Sequence, residues 1–431
     1  MARFVYSIFS YFGLILALPF VALKALYDPR YRYRIKDRLG FSPLRGSKKV
    51  IWFHAASVGE VLLSLPFLQG VLSQFPEHEL FVSTQTPSGH QTVEAKLKGQ
   101  VQAFLTPVDT PDAVKRAVRR VQPEIYILVE TEIWPNLLLH LRDRQIPIIL
   151  LNGRISEPAF KKYRFFRFFL APILNSFDYI ATRGDYDCKR FMALGVPASK
   201  IHIMGNLKYD CKITPCSVEI SSLVENYLTD HGVYPLAVLG SLHEGEYDIL
   251  VRVCSAVRKK IPELKFIWAP RHLESLTEIK RKLKAAGFSF FERSTAPAPL
   301  TDGKFRDIML LDTYGELASI YSLATVVFVG GSLSPDGGQN MIEPAYFKRP
   351  VLFGPHLWNF EDISAHLINN KGAYKVLDED ELISKFVELL SNKNIRQTMG
   401  ENGYAVIKQH QGALQRALQA LESVLANKEG K

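Results

Sequence analysis

The sequence is poor in the residues that staple or chelate a fold. It holds four cysteines in 431 residues, Cys188, Cys211, Cys216 and Cys254. None forms a C-x-x-C pair, and no histidines stand near them at zinc spacing. This argues against a disulfide scaffold and a structural zinc module and suits reduced thiols in a reducing compartment; a Cys211–Cys216 bridge is the lesser reading. Three nucleotide-site signatures are also missing: a Walker A sequence, a strand-linked G-x-G-x-x-G, and a D-x-D pair with apolar flanks. Their absence argues against P-loop enzymes, Rossmann dehydrogenases and transferases that hold a nucleotide diphosphate through a metal. There is no short-period repeat, and low complexity is confined to Ser294–Pro299, read as a surface loop.

Charge is missing from one stretch altogether. Phe4 to Leu23 carries none, and a helix of that length just reaches across a hydrocarbon core of about 30 Å. Ser7, Ser10, Gly13 and Pro19 weaken it as a span, so a shallow, re-entrant or monotopic helix stays open beside an uncleaved anchor. Lys24, Arg30, Arg32, Arg34, Lys36 and Arg38 crowd the segment that follows, with Tyr27, Tyr31 and Tyr33 among them. A cleaved signal peptide has its basic residues in front. Here they follow, and the positive-inside rule puts the rest of the chain in the cytoplasm. The formal net charge of +10 suggests an anionic partner: nucleic acid, a lipid surface or a phosphorylated substrate.

From residue 50 short apolar runs alternate with amphipathic segments. The runs are Val50–Phe53, Leu80–Val82, Val101–Leu105, Ile125–Val129, Ile146–Leu151 and Tyr179–Ala181, then Leu236–Leu239, Phe266–Ala269, Ile308–Leu311, Val326–Val329 and Val351–Phe353. Uninterrupted apolar strands separated by helices indicate parallel sheets covered on both faces. The pattern weakens between about 208 and 234, which divides the chain into two doubly wound α/β domains. The expected organisation is an anchor over 1–28, a first Rossmann-like domain over 29–210, a second over 211–405 and a C-terminal helix over 406–431. Such domains bind ligands at the carboxyl ends of their strands. Two of them facing across a cleft would place the site there.

At those strand ends stand the candidate residues. The first strand runs into ASVGE, where Glu60 opens a helix and is read as a general base. The fourth ends in ETEIWPN; Glu130 and Glu132 point to opposite faces if the strand continues. The fifth supplies Asn152 and Arg154, and Gly205-Asn206-Leu207-Lys208 closes the first domain. The segment KKYRFFRFFL, residues 161–170, reads as a basic aromatic helix suited to an anionic lipid layer before nucleic acid. In the second domain GSLHEGE, APRH and DTYGEL follow successive strands. The richest stretch is GGSLSPDGGQNMIEPA. Its four glycines expose amides, a helix is expected from near Asn340 that suits a phosphate, and Glu343 is placed to accept from a ribose diol.

Taken in order, ASVGE, TPSG, VETEIWPNLL, NGRIS, GNLKYD, GS-x-H-x-GE, PRH, DTYGEL and GGSL…GGQN…EPA resemble the 3-deoxy-D-manno-octulosonic acid (Kdo) transferases of lipopolysaccharide synthesis. The resemblance covers nearly the whole chain. It implies a GT-B fold, CMP-Kdo as donor, a lipid A precursor (lipid IVA) as acceptor, inversion at the anomeric carbon, and neither a metal nor a cofactor. It implies work at the inner membrane, among anionic lipids and without nucleic acid, with both catalytic domains on the cytoplasmic side. Carried over by position, Glu60 matches the general base, and Glu130 and Lys208 match residues that assist the transition state. Pro270, Arg271, Tyr314, Gly315, Glu316, Asn340, Met341, Ile342 and Glu343 match the CMP-binding elements. Two positions depart from the pattern: Gln339 stands where the family often has His, and Tyr314 where it usually has Met. The alternative is a membrane-associated nucleotide-sugar epimerase of the same fold.

Overall fold

A computed structural model describes residues 2–42, 46–210, 213, 215–229, 234–295 and 306–429. Cys211 and most of the Ser294–Pro299 loop lie outside these residues. The chain divides into two compact units: Met1–Cys211 with His410–Lys431, and Lys212–Gln409.

The first unit is a seven-stranded parallel sheet. Its strands are β1 (Lys49–His54), β2 (His78–Thr84), β3 (Gln102–Leu105), β4 (Pro123–Val129), β5 (Ile148–Gly153), β6 (Tyr179–Thr182) and β7 (Ile201–Ile203). They lie in the order β3-β2-β1-β4-β5-β6-β7. The apolar runs are unbroken because both faces are covered. Val50 and Trp52 enter one core with Phe104, Tyr126 and the helix Pro135–Asp143. Ile51 and Phe53 enter the other, with the helix Val58–Gln74 and the C-terminal helix Ala413–Glu429. That last helix therefore belongs to the first unit. Asp210 caps it, accepting from Gly412 N at 2.7 Å and Leu414 N at 2.8 Å.

The second unit repeats the plan with β8 (Leu236–Leu242), β9 (Lys265–Pro270), β10 (Phe290–Glu292), β11 (Ile308–Leu310), β12 (Val326–Val329), β13 (Val351–Phe353) and β14 (Ala373–Lys375). Their order is β10-β11-β9-β8-β12-β13-β14. The short strands β7, β10 and β14 were not anticipated by the apolar runs; each has three residues. In both sheets the chain reverses its direction of build next to the first strand, between β1 and β4 and between β8 and β12. That is where doubly wound folds leave a crevice.

Two local readings change. KKYRFFRFFL is not one helix but the end of Glu157–Phe165 and the start of Arg167–Leu174, broken at Phe166. The helix expected from near Asn340 is a five-residue piece, Ile342–Tyr346. At the N-terminus, the helix Ala2–Tyr27 forms. Its stretch Tyr6–Tyr27, of mean hydropathy 1.9, is long and apolar enough to cross a membrane.

Candidate functional site

Each unit gathers its candidate residues at the carboxyl ends of its strands. In the first, β1 ends at His54 and the turn Ala55–Ser57 leads into the helix Val58–Gln74. Ser57 caps that helix, its Oγ accepting from Glu60 N at 3.4 Å. The Glu60 carboxyl reaches back over the same turn. Ala56 N donates to Oε2 at 2.6 Å and Ser57 Oγ to Oε1 at 3.2 Å. Bonds within the helix's own first turn thus fix where Glu60 sits. Burial pushes its pKa up to about 7; the bonds from Ala56 and Ser57 pull it down, and the charges of Glu130 and Glu132 push it up again. The carboxyl is thus poised to take a proton near neutral pH.

Glu130 and Glu132 do not sit on a continuing strand. β4 stops at Val129 and Glu130 takes a φ of +59°, in the left-handed region that non-glycine residues rarely occupy. That turn brings both acids near Glu60. Glu130 Oε1 accepts from an Arg183 guanidinium nitrogen at 3.1 Å and from Asn152 Nδ2 at 3.5 Å. Asn152 also has a positive φ, +54°, and its Oδ1 accepts from Leu207 N at 3.1 Å. Through Asn152, then, Glu130 is tied to the turn that carries Lys208, and Lys208 N itself donates to Asn206 Oδ1 at 3.1 Å. Glu60, Glu130 and the Lys208 turn, named separately from sequence, share one end of one sheet.

Sequence reasoning passed over their supports. His54 is fully buried, with Nδ1 at 2.9 Å from Ser83 Oγ and 3.1 Å from Thr106 Oγ1, and Nε2 at 3.2 Å from Glu132 Oε2. Trp134 Nε1 donates to the same Glu132 oxygen at 3.0 Å. Burial raises the Glu132 pKa, but the His54 and Trp134 bonds outweigh it and the net shift is downward. A histidine closing a buried apolar strand was the available signal for this network. Arg183, at the end of β6, gave none.

In the second unit β8 ends in Gly240-Ser241-Leu242 and β12 in the glycine-rich loop. A fully buried carboxyl joins them. Glu246 Oε2 accepts from His243 N at 3.0 Å and Gly331 N at 2.8 Å, and Oε1 from Ser332 N and Leu333 N at 2.9 Å each. The loop GGSL is shaped around that carboxyl. A Cβ at Gly330 would stand 2.8 Å from Glu246 Oε2 and 2.7 Å from Ser241 O, so only glycine lets the loop close on it. His243 then reaches outward, its Nε2 3.1 Å from Gln339 Nε2.

The sequence-derived nucleotide residues stand in this unit, at or after the carboxyl ends of its strands. Asn340 Oδ1 accepts from Ile342 N at 3.1 Å and its Nδ2 donates to Glu343 Oε1 at 2.9 Å. Burial raises the Glu343 pKa to about 7 against that bond. Met341 and Ile342 have buried side chains and can offer a ligand only backbone groups. Pro270 ends β9 and is buried, whereas Arg271 is exposed, anchored by its N to Leu242 O at 2.9 Å. Tyr314 is exposed beside Gly315, whose φ is +87°. Glu316 accepts from Thr313 Oγ1 at 2.5 Å and from Arg293 at 3.3 Å. Among the described residues, no group of three or more His, Cys, Asp or Glu side chains could hold a metal ion.

Residues 33–211 match the family described as 3-deoxy-D-manno-octulosonic-acid transferase (kdotransferase). The chain is 34% identical over 433 residues to a 3-deoxy-D-manno-octulosonic acid transferase of Haemophilus influenzae, covering 99% of both. It is 29% identical to the enzyme of that name from Chlamydia trachomatis, covering 97% of this chain and 96% of the relative. Among solved structures, a glycosyltransferase from Rickettsia africae superposes with a TM-score of 0.60 at 12% identity, covering 89% of this chain and 100% of that one. A UDP-N-acetylglucosamine 2-epimerase superposes at 0.59 with 12% identity, covering 88% and 96%. These structural likenesses establish the two-sheet fold that such enzymes share and nothing about the reaction.

Proposed function

This chain belongs to the 3-deoxy-D-manno-octulosonic acid (Kdo) transferases, and on that premise we propose that it carries Kdo from CMP-Kdo to a lipid A precursor, lipid IVA, with inversion and without a metal. Family membership, not the fold, decides against the epimerase, because both enzyme types share the fold.

The observation that carries the mechanism is the Glu60 carboxyl, held over its turn by Ala56 N and Ser57 Oγ with its pKa near 7. Glu60 takes the proton from an acceptor hydroxyl as that oxygen attacks the anomeric carbon of Kdo. The bond from that carbon to the CMP phosphate oxygen breaks, and CMP leaves with the electron pair. Arg271 and the backbone amides near Asn340 oppose the phosphate charge in the role a metal plays elsewhere. Glu343 takes the ribose hydroxyls. Glu130, with Arg183 beside it, and Lys208 assist as charge develops.

A lipid acceptor requires work at a membrane. The apolar helix Ala2–Tyr27 supports this reading. So do Phe165 and Phe168, 81% and 83% exposed, with Lys161, Lys162, Arg164 and Arg167 among them to meet anionic headgroups. The basic segment after Leu23 supports work at the anionic cytoplasmic leaflet of the inner membrane.

Incubation with CMP-Kdo and a tetra-acylated lipid A precursor, read by mass spectrometry, tests donor and acceptor together. Glu60→Gln is expected to bind CMP-Kdo as before and to lose at least ~10²-fold in turnover, the worth of a general base. Retained turnover in that variant removes Glu60 from the role.

A further inference from the structure

The apolar N-terminal helix is joined to the first unit at both of its ends. At its C-terminal end the chain passes through Asp28, whose carboxyl caps the next turn by accepting from Arg30 N at 2.9 Å. It enters the unit at Tyr33, whose hydroxyl meets His90 Nδ1 at 3.0 Å. Near its N-terminal end a second set of bonds reaches the same unit. Tyr6 OH donates to Asp109 Oδ2 at 3.0 Å and Ser7 Oγ to Asn136 Oδ1 at 3.0 Å. Asn136 Nδ2 donates to Ser10 Oγ at 3.3 Å, and Tyr11 OH donates to Asp112 Oδ2 at 2.6 Å. The Tyr6 and Phe169 rings are 5.9 Å apart.

These partners are built into the unit. Asp109 is 9% exposed and Asn136 2%. Asp109 accepts from the amides of Asn136 and Leu137 at 3.0 and 2.9 Å, which start the helix Pro135–Asp143. Along the N-terminal helix, Tyr6, Ser7, Ser10, Tyr11 and Leu14 are half-buried while Ile8, Phe9, Phe12 and Gly13 are exposed. The spacing i, i+1, i+4, i+5, i+8 is one helical face. The polar residues that weaken the segment as a span thus have a use: they are its docking stripe.

A crossing helix places its ends on opposite sides of a hydrocarbon layer about 30 Å thick. Residues 6–11 before the exposed stretch and Tyr33 after it are bonded to one unit, on one side. We propose that the N-terminal helix does not cross the bilayer but lies in one leaflet, docked to the first unit by Tyr6, Ser7, Ser10 and Tyr11. Its outward side chains enter the acyl region of a single anionic leaflet. From Ile15 to Lys24 every side chain is exposed, so this middle stretch stands clear of the protein and is covered by lipid. Lys24, Arg30 and Arg32 at one end, and Lys161, Arg164 and Arg167 on the segment that supplies Phe169, give the headgroup region its cations. A helix in this position buries its apolar side roughly 5–10 Å below the headgroups. It holds the strand ends of the first unit at a fixed height over the leaflet that contains a lipid acceptor.

The inference rests on the membrane reading above, and one experiment separates the two. The full-length protein carries a protease-cleavable epitope tag before Met1 and a different one after Lys431; the C-terminal helix belongs to the first unit, so the second tag reports that unit's side. In sealed membrane vesicles, retained Kdo transfer shows that the tagged protein is folded. Protease is expected to remove both tags from vesicles of one orientation and neither from vesicles of the other. Removal of one tag while the other is protected until detergent is added overturns the in-plane helix and leaves the membrane reading intact. A protein that does not sediment with the vesicles overturns the membrane reading and this inference with it.

Discussion

His54 Nε2 lies 3.2 Å from Glu132 Oε2, and this pairing governs the charge beside the proposed base. His54 is locked by Ser83 and Thr106 on its other nitrogen, so Glu132 is held at a fixed place and its pKa is drawn below the ordinary carboxyl value. A charged Glu132 is one of the two carboxylates that raise Glu60.

Glu132→Gln should therefore act through Glu60. Removing the negative charge lowers the Glu60 pKa, and the acid limb of the pH–turnover profile moves to lower pH. Initial rates of Kdo transfer between pH 5 and 9 measure the shift. An unmoved limb with reduced turnover would show instead that Glu132 serves only the shape of the turn.

The wild-type rate should rise as pH passes through about 7, where Glu60 loses its proton, and level off above. Stability should do the opposite. Glu60 and Glu343 both hold their protons more tightly folded than unfolded, with folded values of about 7 against 4.5. Their stabilising contribution is whole below about 4.5 and is lost as pH climbs through 7, on the order of 3 kcal/mol for each. Chemical denaturation at pH 5 and pH 8 tests this. Glu60→Gln should flatten part of the difference, and an unchanged pH dependence in that variant would remove Glu60 as its source.

Glu343→Ala is expected to weaken CMP about 10- to 100-fold, the worth of one or two hydrogen bonds made by a part-buried carboxyl. Asn340 loses its partner in the same variant, so Asn340→Ala is the control. If it weakens CMP as much, Glu343 acts by shaping the loop rather than by touching the ribose. Calorimetric titration with CMP decides between them.

Glu246→Ala should cost more in stability than any surface substitution. It removes the acceptor for four backbone amides, those of His243, Gly331, Ser332 and Leu333. Buried unsatisfied donors cost about 1–3 kcal/mol each where water cannot replace the partner. A loss of roughly 3–5 kcal/mol, together with loss of CMP binding, is the expected outcome. Denaturant midpoints and CMP titration measure both. A stable variant that still binds CMP would mean that the glycine loop does not depend on Glu246.

Much of this was legible in the sequence because a doubly covered parallel strand leaves an unbroken apolar run. Val50–Phe53 announces β1 since Trp52 and Phe53 feed opposite cores. The edge strands β7, β10 and β14 gave no such run: Ile201–Ile203 has two exposed positions of three. Glu60 was readable because its neighbourhood is local, a helix start in which Ala56 and Ser57 bond its carboxyl. The approach of Glu130 and Glu132 was not, because it depends on where β4 stops and on a left-handed turn that strand alternation does not foresee. His54, Arg183 and Glu246 act across the sheet or between loops, and a linear pattern carries no distance between such residues.

The C-terminal helix has a consequence for how the protein is made. Leu418 packs where a Cβ on Gly70 would stand, 2.9 Å from its Cδ1, so the helix Val58–Gln74 has its covering segment more than three hundred residues later in the chain. At the ordinary pace of translation, about 5–20 residues per second, the first sheet waits roughly 10–40 s after Cys211 before its cover emerges. The nascent chain spends that interval with an apolar flank open. A stop codon in place of Ala413 would leave that flank open for good, so such truncations should be recovered as aggregates or degraded rather than as a smaller working enzyme.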